Sequence, residues 1–254
     1  MMSGKIPVYY INLDSSEDRR GSIEAGLRKA GVTNATRVSA FDGRGVDLTQ
    51  TTDCDLRAAH RFLGRPLRGA EYGCYRSHLD CIERFLATDS PYGIVLEDDA
   101  AIDDDFLQVI AASIDIMEKT KRHWDLIHLG AGRLKIYSRL EPLGGGHDLV
   151  KAHYFPMMTT ALLWSRQGAQ NILDHHRTIT MPVDTQFREI MVKRDLGFAI
   201  WPAITRQIGM SSDIDGDGAT RKAHGRSWYY GFAKQERLWR NKIIAFYHKL
   251  TLRR

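Results

Sequence analysis

An α/β fold, a mainly parallel sheet with helices on both faces, is predicted by three observations. Strand-like and helix-like runs alternate along the chain, the pattern of repeated β-α units. The run Ile94-Val95-Leu96 is apolar without polar alternation, as in a strand covered on both faces. At 254 residues and 43% hydrophobic content, the chain can bury one full core.

The elements follow in order. Residues 6–12 (IPVYYIN) read as a strand, and Ser15 or Ser16 with Glu17 and Asp18 suits a helix start leading through Arg19 to Ala30. Gly31 stops that helix. Residues 36–40 form a second strand ending in the turn Phe41-Asp42-Gly43, and 44–70 read as a long polar loop with room for one short helix. Apolar spacing predicts helices over 71–87 and 104–119, with strands at 93–98 and 125–130. Gly144-Gly145-Gly146 reads as a flexible connection. Residues 159–164 form a strand, Ser165 caps a helix to His176, Pro182 opens the helix Val183–Arg194, and Gly197–Trp201 is the last strand.

The net charge of +5 is unevenly placed. From Lys234 onward, seven cations face one acid, Glu236, leaving the body close to neutral. A nucleic-acid binder would spread basic residues through the domain, so no nucleic-acid partner is expected. No segment reaches the roughly 20 apolar residues that cross a bilayer. The start, Met1-Met2-Ser3-Gly4-Lys5, has no apolar signal region, which predicts a cytoplasmic location. Cys54, Cys74 and Cys81 are read as small buried hydrophobes in a reducing compartment, with no zinc spacing among them.

Chemistry concentrates at Glu97-Asp98-Asp99, directly after the buried strand. Ligands bind beyond the C-terminal strand ends of open α/β sheets. Adjacent carboxylates repel unless a divalent cation, with its preference for carboxylate and phosphate oxygens, neutralises them. An acidic turn before a helix is the plain alternative. Asn12, Arg19 and Arg20 at the first strand end place an amide for a base or ribose and forked guanidiniums for a diphosphate, or form only a polar turn. Ser77 and His78 point about 100° apart on one helix and cannot be a nucleophile–base pair. His78 is either a donor to a phosphate or sugar hydroxyl, or a satisfied structural group. Asp184 in a first helical turn either complements the dipole or serves as general base. Asp213 or Asp215, in a late polar loop, is a further metal-ligand candidate.

The segments INLDSSEDRR (11–20), RVSAFDG (37–43), GAEYGCYRSH (69–78), YGIVLEDDA (92–100), WDLIHLG (124–130), ALLWSRQGA (161–169), PVD (182–184) and SSDI (211–214) occur in that order. Together they resemble glycosyltransferase family 25, which includes lipooligosaccharide and collagen galactosyltransferases. The resemblance spans about residues 6–215 and implies a GT-A-like fold over 1–233, a UDP-sugar donor, Mn²⁺ (or Mg²⁺) dependence and inverting transfer to a β-linkage. It matches Asn12 and Arg19 to donor contacts, Glu97, Asp98 and Asp99 to the acidic metal motif, and His78 and Asp184 to its GCxxSH and PVD segments. Arg76 and the segment 160–164 depart from the family pattern, which bears on the acceptor.

On that reading Asp99, joined by Asp213, holds the metal, Glu97 and Asp98 hold the donor, and Asp184 takes the acceptor proton. Residues 235–252 set Leu238, Trp239, Ile243, Phe246, Tyr247 and Leu250 at helical spacing among cations. This predicts a basic amphipathic helix over 234–254, either lying on an anionic membrane at the inner cytoplasmic face or packed on the body. The rival functions are a metal-dependent phosphohydrolase and a catalytically silent nucleotide- or membrane-binding protein.

Overall fold

A computed structural model describes residues 6–208 and 225–252. The strands are β1 (Val8–Asn12), β2 (Ala35–Ser39), β3 (Tyr92–Glu97), β4 (Ala100–Ile102), β5 (Leu126–His128), β6 (Ser138–Gly144), β7 (His147–Lys151), β8 (Ala161–Ser165), β9 (Gly197–Trp201) and β10 (Thr205–Gln207). The α-helices are α1 (Glu17–Lys29), α2 (Leu56–Leu63), α3 (Gly69–Leu86), α4 (Phe106–Thr120), α5 (Arg166–His175), α6 (Val183–Arg194) and α7 (Tyr230–Thr251). Eight strands form one sheet in the order β2-β1-β3-β8-β5-β9-β7-β6.

The expected α/β architecture with helices on both faces is present, because successive strand residues feed two separate cores. Tyr9, Ile11 and Val95 pack with α3, α5 and α6, whereas Val8, Tyr10, Ile94 and Leu96 pack with α1 and α4. The sheet is mixed in direction. β1 runs parallel to β2 and β3, and β5 parallel to β9. β8, however, inserts antiparallel between β3 and β5, and the β6–β7 hairpin adds an antiparallel edge. A central antiparallel strand looks like any other buried apolar run in sequence, so alternation alone overstated the parallel character.

One connection differs from expectation and another holds the short helix it had room for. Gly144, Gly145 and Gly146 make the tight turn of the β6–β7 hairpin, with φ of 85°, 61° and 84° that L side chains rarely adopt. The 44–70 loop contains a 3₁₀ turn and α2, whose first turn is capped when Asp55 Oδ1 accepts from Ala58 N at 2.9 Å. Elsewhere local signals hold: Ser165 Oγ accepts from Gly168 N at 3.0 Å to cap α5, and α6 starts just after Pro182.

Three residues without side chains bring two backbone segments together beside the site. A Cβ on Gly43 would lie 1.9 Å from Gly69 O, and one on Gly73 would lie 2.4 Å from Phe41 O. The turn after β2 is therefore pressed backbone to backbone on the start of α3. Ser77 reinforces the seam, its hydroxyl accepting from Phe41 N at 2.8 Å and donating to Gly73 O at 2.8 Å.

The helix α7 begins ahead of residue 234 and docks on α2 and α6. Glu189 on α6 accepts from Asn241 at 2.5 Å and from Arg240 at 2.9 Å. Among the described residues no helix is long and apolar enough to cross a membrane.

Candidate functional site

Parallel pairing brings three strand ends together: Asn12 sits beside Ser39, and Ile11 beside Glu97. The acid row leaves β3 there, at the head of a cleft of about 150 Å³ walled by Asn12, Arg19, Phe41, Arg44, Cys74 and Gln207.

The three acids have different surroundings. Asp98 is clamped, with Arg19 Nη2 at 2.5 Å from Oδ1 and Asn12 Nδ2 donating to Oδ2 at 2.7 Å. Asn12 also donates to Ser16 O at 3.0 Å and accepts from Arg37 Nε at 3.0 Å. It is 1% exposed. Both ends of its amide are thus committed to the protein, so it orients Asp98 and presents nothing to a base or ribose.

Asp99 is poorly neutralised. Its Oδ2 accepts from Gln207 Nε2 at 2.8 Å and lies 3.6 Å from Arg19. Its Oδ1 is buried without a hydrogen-bond partner among the described residues. Burial, then the charge of Glu97, push its carboxyl from 3.8 up to about 6, against the pull of Gln207 and Arg19.

Glu97 is the reverse case. Its Oε1 accepts from Thr159 Oγ1 at 2.6 Å, pairs with His78 Nε2 at 3.2 Å and has Cys74 Sγ at 3.9 Å. Burial raises its carboxyl, but the hydrogen bond and charge of His78, with Thr159 and Arg19, outweigh it and hold Glu97 below the ordinary range. Burial and the Glu97 charge push the Cys74 thiol well up, keeping it a donor. Cys74, His78 and Glu97 are the one set of three His, Cys, Asp or Glu side chains among the described residues whose ligand atoms all lie within 4.8 Å of one another. Their convergence on a single oxygen is that of donors around an acceptor.

His78 is fully buried and stacks edge-on against Phe187 at 5.9 Å. It therefore positions Glu97 and does not reach a phosphate or sugar hydroxyl. Asp184 is half-buried at the start of α6, its Oδ1 accepting from Thr185 N at 2.5 Å. Burial raises its carboxyl, and the nearby Glu97 charge adds to the rise, while Thr185 and Arg188 oppose it. Asp213 lies outside the described residues. Arg76 does not line the cleft; it pairs with Asp53 at 2.9 Å and ties down the 44–70 loop.

Sequence reasoning did not single out Thr159, Gln207 or Arg37. Gln207 reaches Asp99 because β10 pairs with β4, setting Gln207 opposite Ala100. Thr159 reaches Glu97 because β8 runs against β3, and Glu97 N donates to Thr160 O at 2.9 Å.

A cleft at strand C-terminal ends, headed by a row of unequally neutralised acids, defines an α/β protein built to hold a ligand rich in oxygen and charge. The chain belongs to glycosyltransferase family 25 (LPS biosynthesis protein), whose model matches residues 5–140. Procollagen galactosyltransferase 1-A of Xenopus laevis is 29% identical over 189 residues, 72% of this chain and 30% of the relative. The probable inactive glycosyltransferase 25 family member 3 of Bos taurus is also 29% identical over 189 residues, covering 72% of this chain and 31% of its own. This chain thus spans under a third of these relatives' length. A glycosyltransferase involved in glycosylation of the PBCV-1 major capsid is a distant structural neighbour, with TM-score 0.39 and 10% identity over 81% of this chain and 95% of that one.

Proposed function

We propose that this chain is an inverting glycosyltransferase that moves a sugar, galactose first among the candidates, from a UDP-sugar to a hydroxyl of a surface glycan such as lipooligosaccharide. Family membership and the galactosyltransferases among its relatives support the class. The observation that carries the chemistry is Asp99 Oδ1, a buried carboxylate oxygen without a described partner beside two more acids. Hard oxygens in that state fit Mn²⁺ or Mg²⁺, with Asp99 as ligand and Asp213 as a further candidate.

When bound, such a cation neutralises the donor diphosphate and makes UDP a better leaving group. Arg19 and Asn12 keep Asp98 rigid beside it. His78 and Thr159 keep Glu97 ionised and oriented toward the donor. Asp184, its proton affinity raised by burial, accepts the proton of the acceptor hydroxyl as that oxygen bonds to the anomeric carbon. The bond from that carbon to the UDP oxygen breaks in the same displacement, which inverts the centre.

The test is UDP release from a panel of UDP-sugars, with Mn²⁺ or with EDTA. Metal-dependent release from one donor is expected. Because some relatives are described as probably inactive, absence of both release and UDP binding would overturn the reading in favour of a silent protein. Phosphate-ester cleavage without any acceptor would identify a phosphohydrolase instead.

The same reading includes a peripheral position on the inner face of the cytoplasmic membrane, supported by one feature of α7. Phe232, Trp239, Ile243, Phe246 and Leu250 are 55–77% exposed and fall on one helical stripe, opposite the docked Asn241 and Ala245. Arg240 flanks the stripe on one side and Lys242 and Lys249 on the other, as in an interfacial helix on anionic lipid. Co-sedimentation with anionic vesicles is expected, and a Trp239→Ser, Phe246→Ser, Leu250→Ser variant should lose it. Equal sedimentation of that variant would refute the membrane role.

A further inference from the structure

A second cleft, of about 270 Å³, opens between the segments 132–135 and 154–158 and α6. Arg133, Lys135 and Arg188 line it with Tyr154, Met157 and Met158, and no carboxylate is among its lining residues. Many exposed cations of this chain are paired, as Arg20 is with Glu24, Arg84 with Asp80 and Arg177 with Glu83. Neither Arg133 nor Lys135 makes an ion pair with a described residue. Like charges gathered in a concave surface repel one another and raise the local concentration of anions.

The cleft is also built. The guanidinium of Arg188 lies 4.6 Å from the centre of the Tyr154 ring, with Nε donating to Phe155 O at 2.7 Å. Lys135 Nζ sits 5.6 Å from the same ring. One aromatic ring therefore orients two cations. Burial lowers the ammonium of Lys135, and the charges of Arg188, Lys242 and Arg133 lower it further.

The rim has its own support. Met158 adopts φ 74°, a costly conformation for a side chain of this type. His128 holds it there, Nε2–H donating to Met158 O at 2.9 Å while Nδ1 accepts from Gly130 N at 3.1 Å. Burial lowers His128 to about 4, which keeps that neutral tautomer in place. The outcome is two thioether side chains, 38% and 39% exposed, able to cover the C–H face of a sugar ring.

Position links the cleft to transfer. Thr159, next after Met158, donates to Glu97. Arg188 lies one helical turn after Asp184 and on the same face of α6. We propose that this cleft is an acceptor subsite that recognises an anionic substituent, a phosphate or a carboxylate, on the glycan that receives the sugar. The assignment of the anion to the acceptor rests on the transferase reading, whereas the anion site itself does not.

The experiment is calorimetric titration of the full chain with glucose 6-phosphate, glucuronate and glucose. The wild type, an Arg133→Ser/Lys135→Ser variant and a Lys135→Glu variant are compared, with thermal melts verifying that each is folded. One or both charged sugars should bind at least tenfold more tightly than glucose, and the tighter of the two identifies the anion. Both variants should lose that preference, and raised salt should weaken it in the wild type. Equal binding of charged and neutral sugars by the wild type, or a preference that survives in both folded variants, would overturn the proposal. An anion preference without any UDP-sugar turnover would fail the transferase reading while leaving the anion site standing.

Discussion

Asp99→Asn separates the local electrostatics of the acid row from its chemistry. The carboxyl of Asp99 lies at about 6 in the folded protein against an ordinary 3.8. At 1.36 kcal/mol per pH unit, that interval corresponds to about 3 kcal/mol. A carboxyl raised on folding favours the folded state when protonated. Its contribution is complete below pH 3.8 and is lost as pH rises through about 6. Above that, the ionised side chain destabilises the metal-free fold by about 1–3 kcal/mol, the lower figure allowing for local relaxation. Asparagine keeps the shape, removes the charge and offers an amide nitrogen beside Glu97 and Asp98. In EDTA at pH 8, Asp99→Asn should therefore melt roughly 3–10 °C above the wild type, and at pH 4 the gap should nearly close. The assay is thermal unfolding at both pH values. A variant no more stable at pH 8, or equally stabilised at both, would refute the argument that Asp99 is poorly neutralised. On the metal-assisted reading, added Mn²⁺ should reverse the order, since only the wild type keeps the Asp99 carboxylate as a ligand, and the variant should transfer no sugar.

Three further outcomes follow from the geometry. Asp184→Asn should lower transfer roughly 10²–10⁴-fold with UDP affinity unchanged, measured by sugar transfer and UDP titration; a loss of UDP binding instead would place Asp184 on the donor side. Thr159→Val removes a charge-assisted hydrogen bond, so it should cost about 1.5–3 kcal/mol and move the Glu97 carboxyl upward, read by denaturant unfolding and by NMR titration of that carboxyl carbon. Gly93→Ala should cost about 1–3 kcal/mol through overpacking, because its Cβ would lie 2.6 Å from the Phe85 ring; denaturant unfolding measures it, and an unchanged midpoint would contradict the packing.

The legible parts of this chain were those decided locally. The apolar run before Glu97, the cap at Ser165 and Pro182 ahead of α6 each carry their cause within a few residues. The environments of the acids do not. Thr159 is 62 residues from Glu97 and Gln207 is 108 from Asp99, and each arrives through the register of an antiparallel pair that no short segment specifies. His78 shows the same limit: its residue type suggested contact with a ligand, but the direction in which α3 turns it, onto Glu97 and Phe187, is a tertiary fact. The triple glycine was legible as a conformational signal, though a hairpin used it for a tight turn.

The seam of Gly43, Gly69 and Gly73 divides the cleft into parts that substitution can and cannot reshape. Where two backbones touch, there is no rotamer to re-choose and no side chain to trim, so the spacing there is fixed by the main chain itself. On the transferase reading, a different donor would be accommodated by Phe41, Asp42 and Arg44, which line the cleft beside the seam and can change size and charge without separating the two backbones. Libraries aimed at reshaping this cleft would therefore vary those three positions and leave the glycines alone.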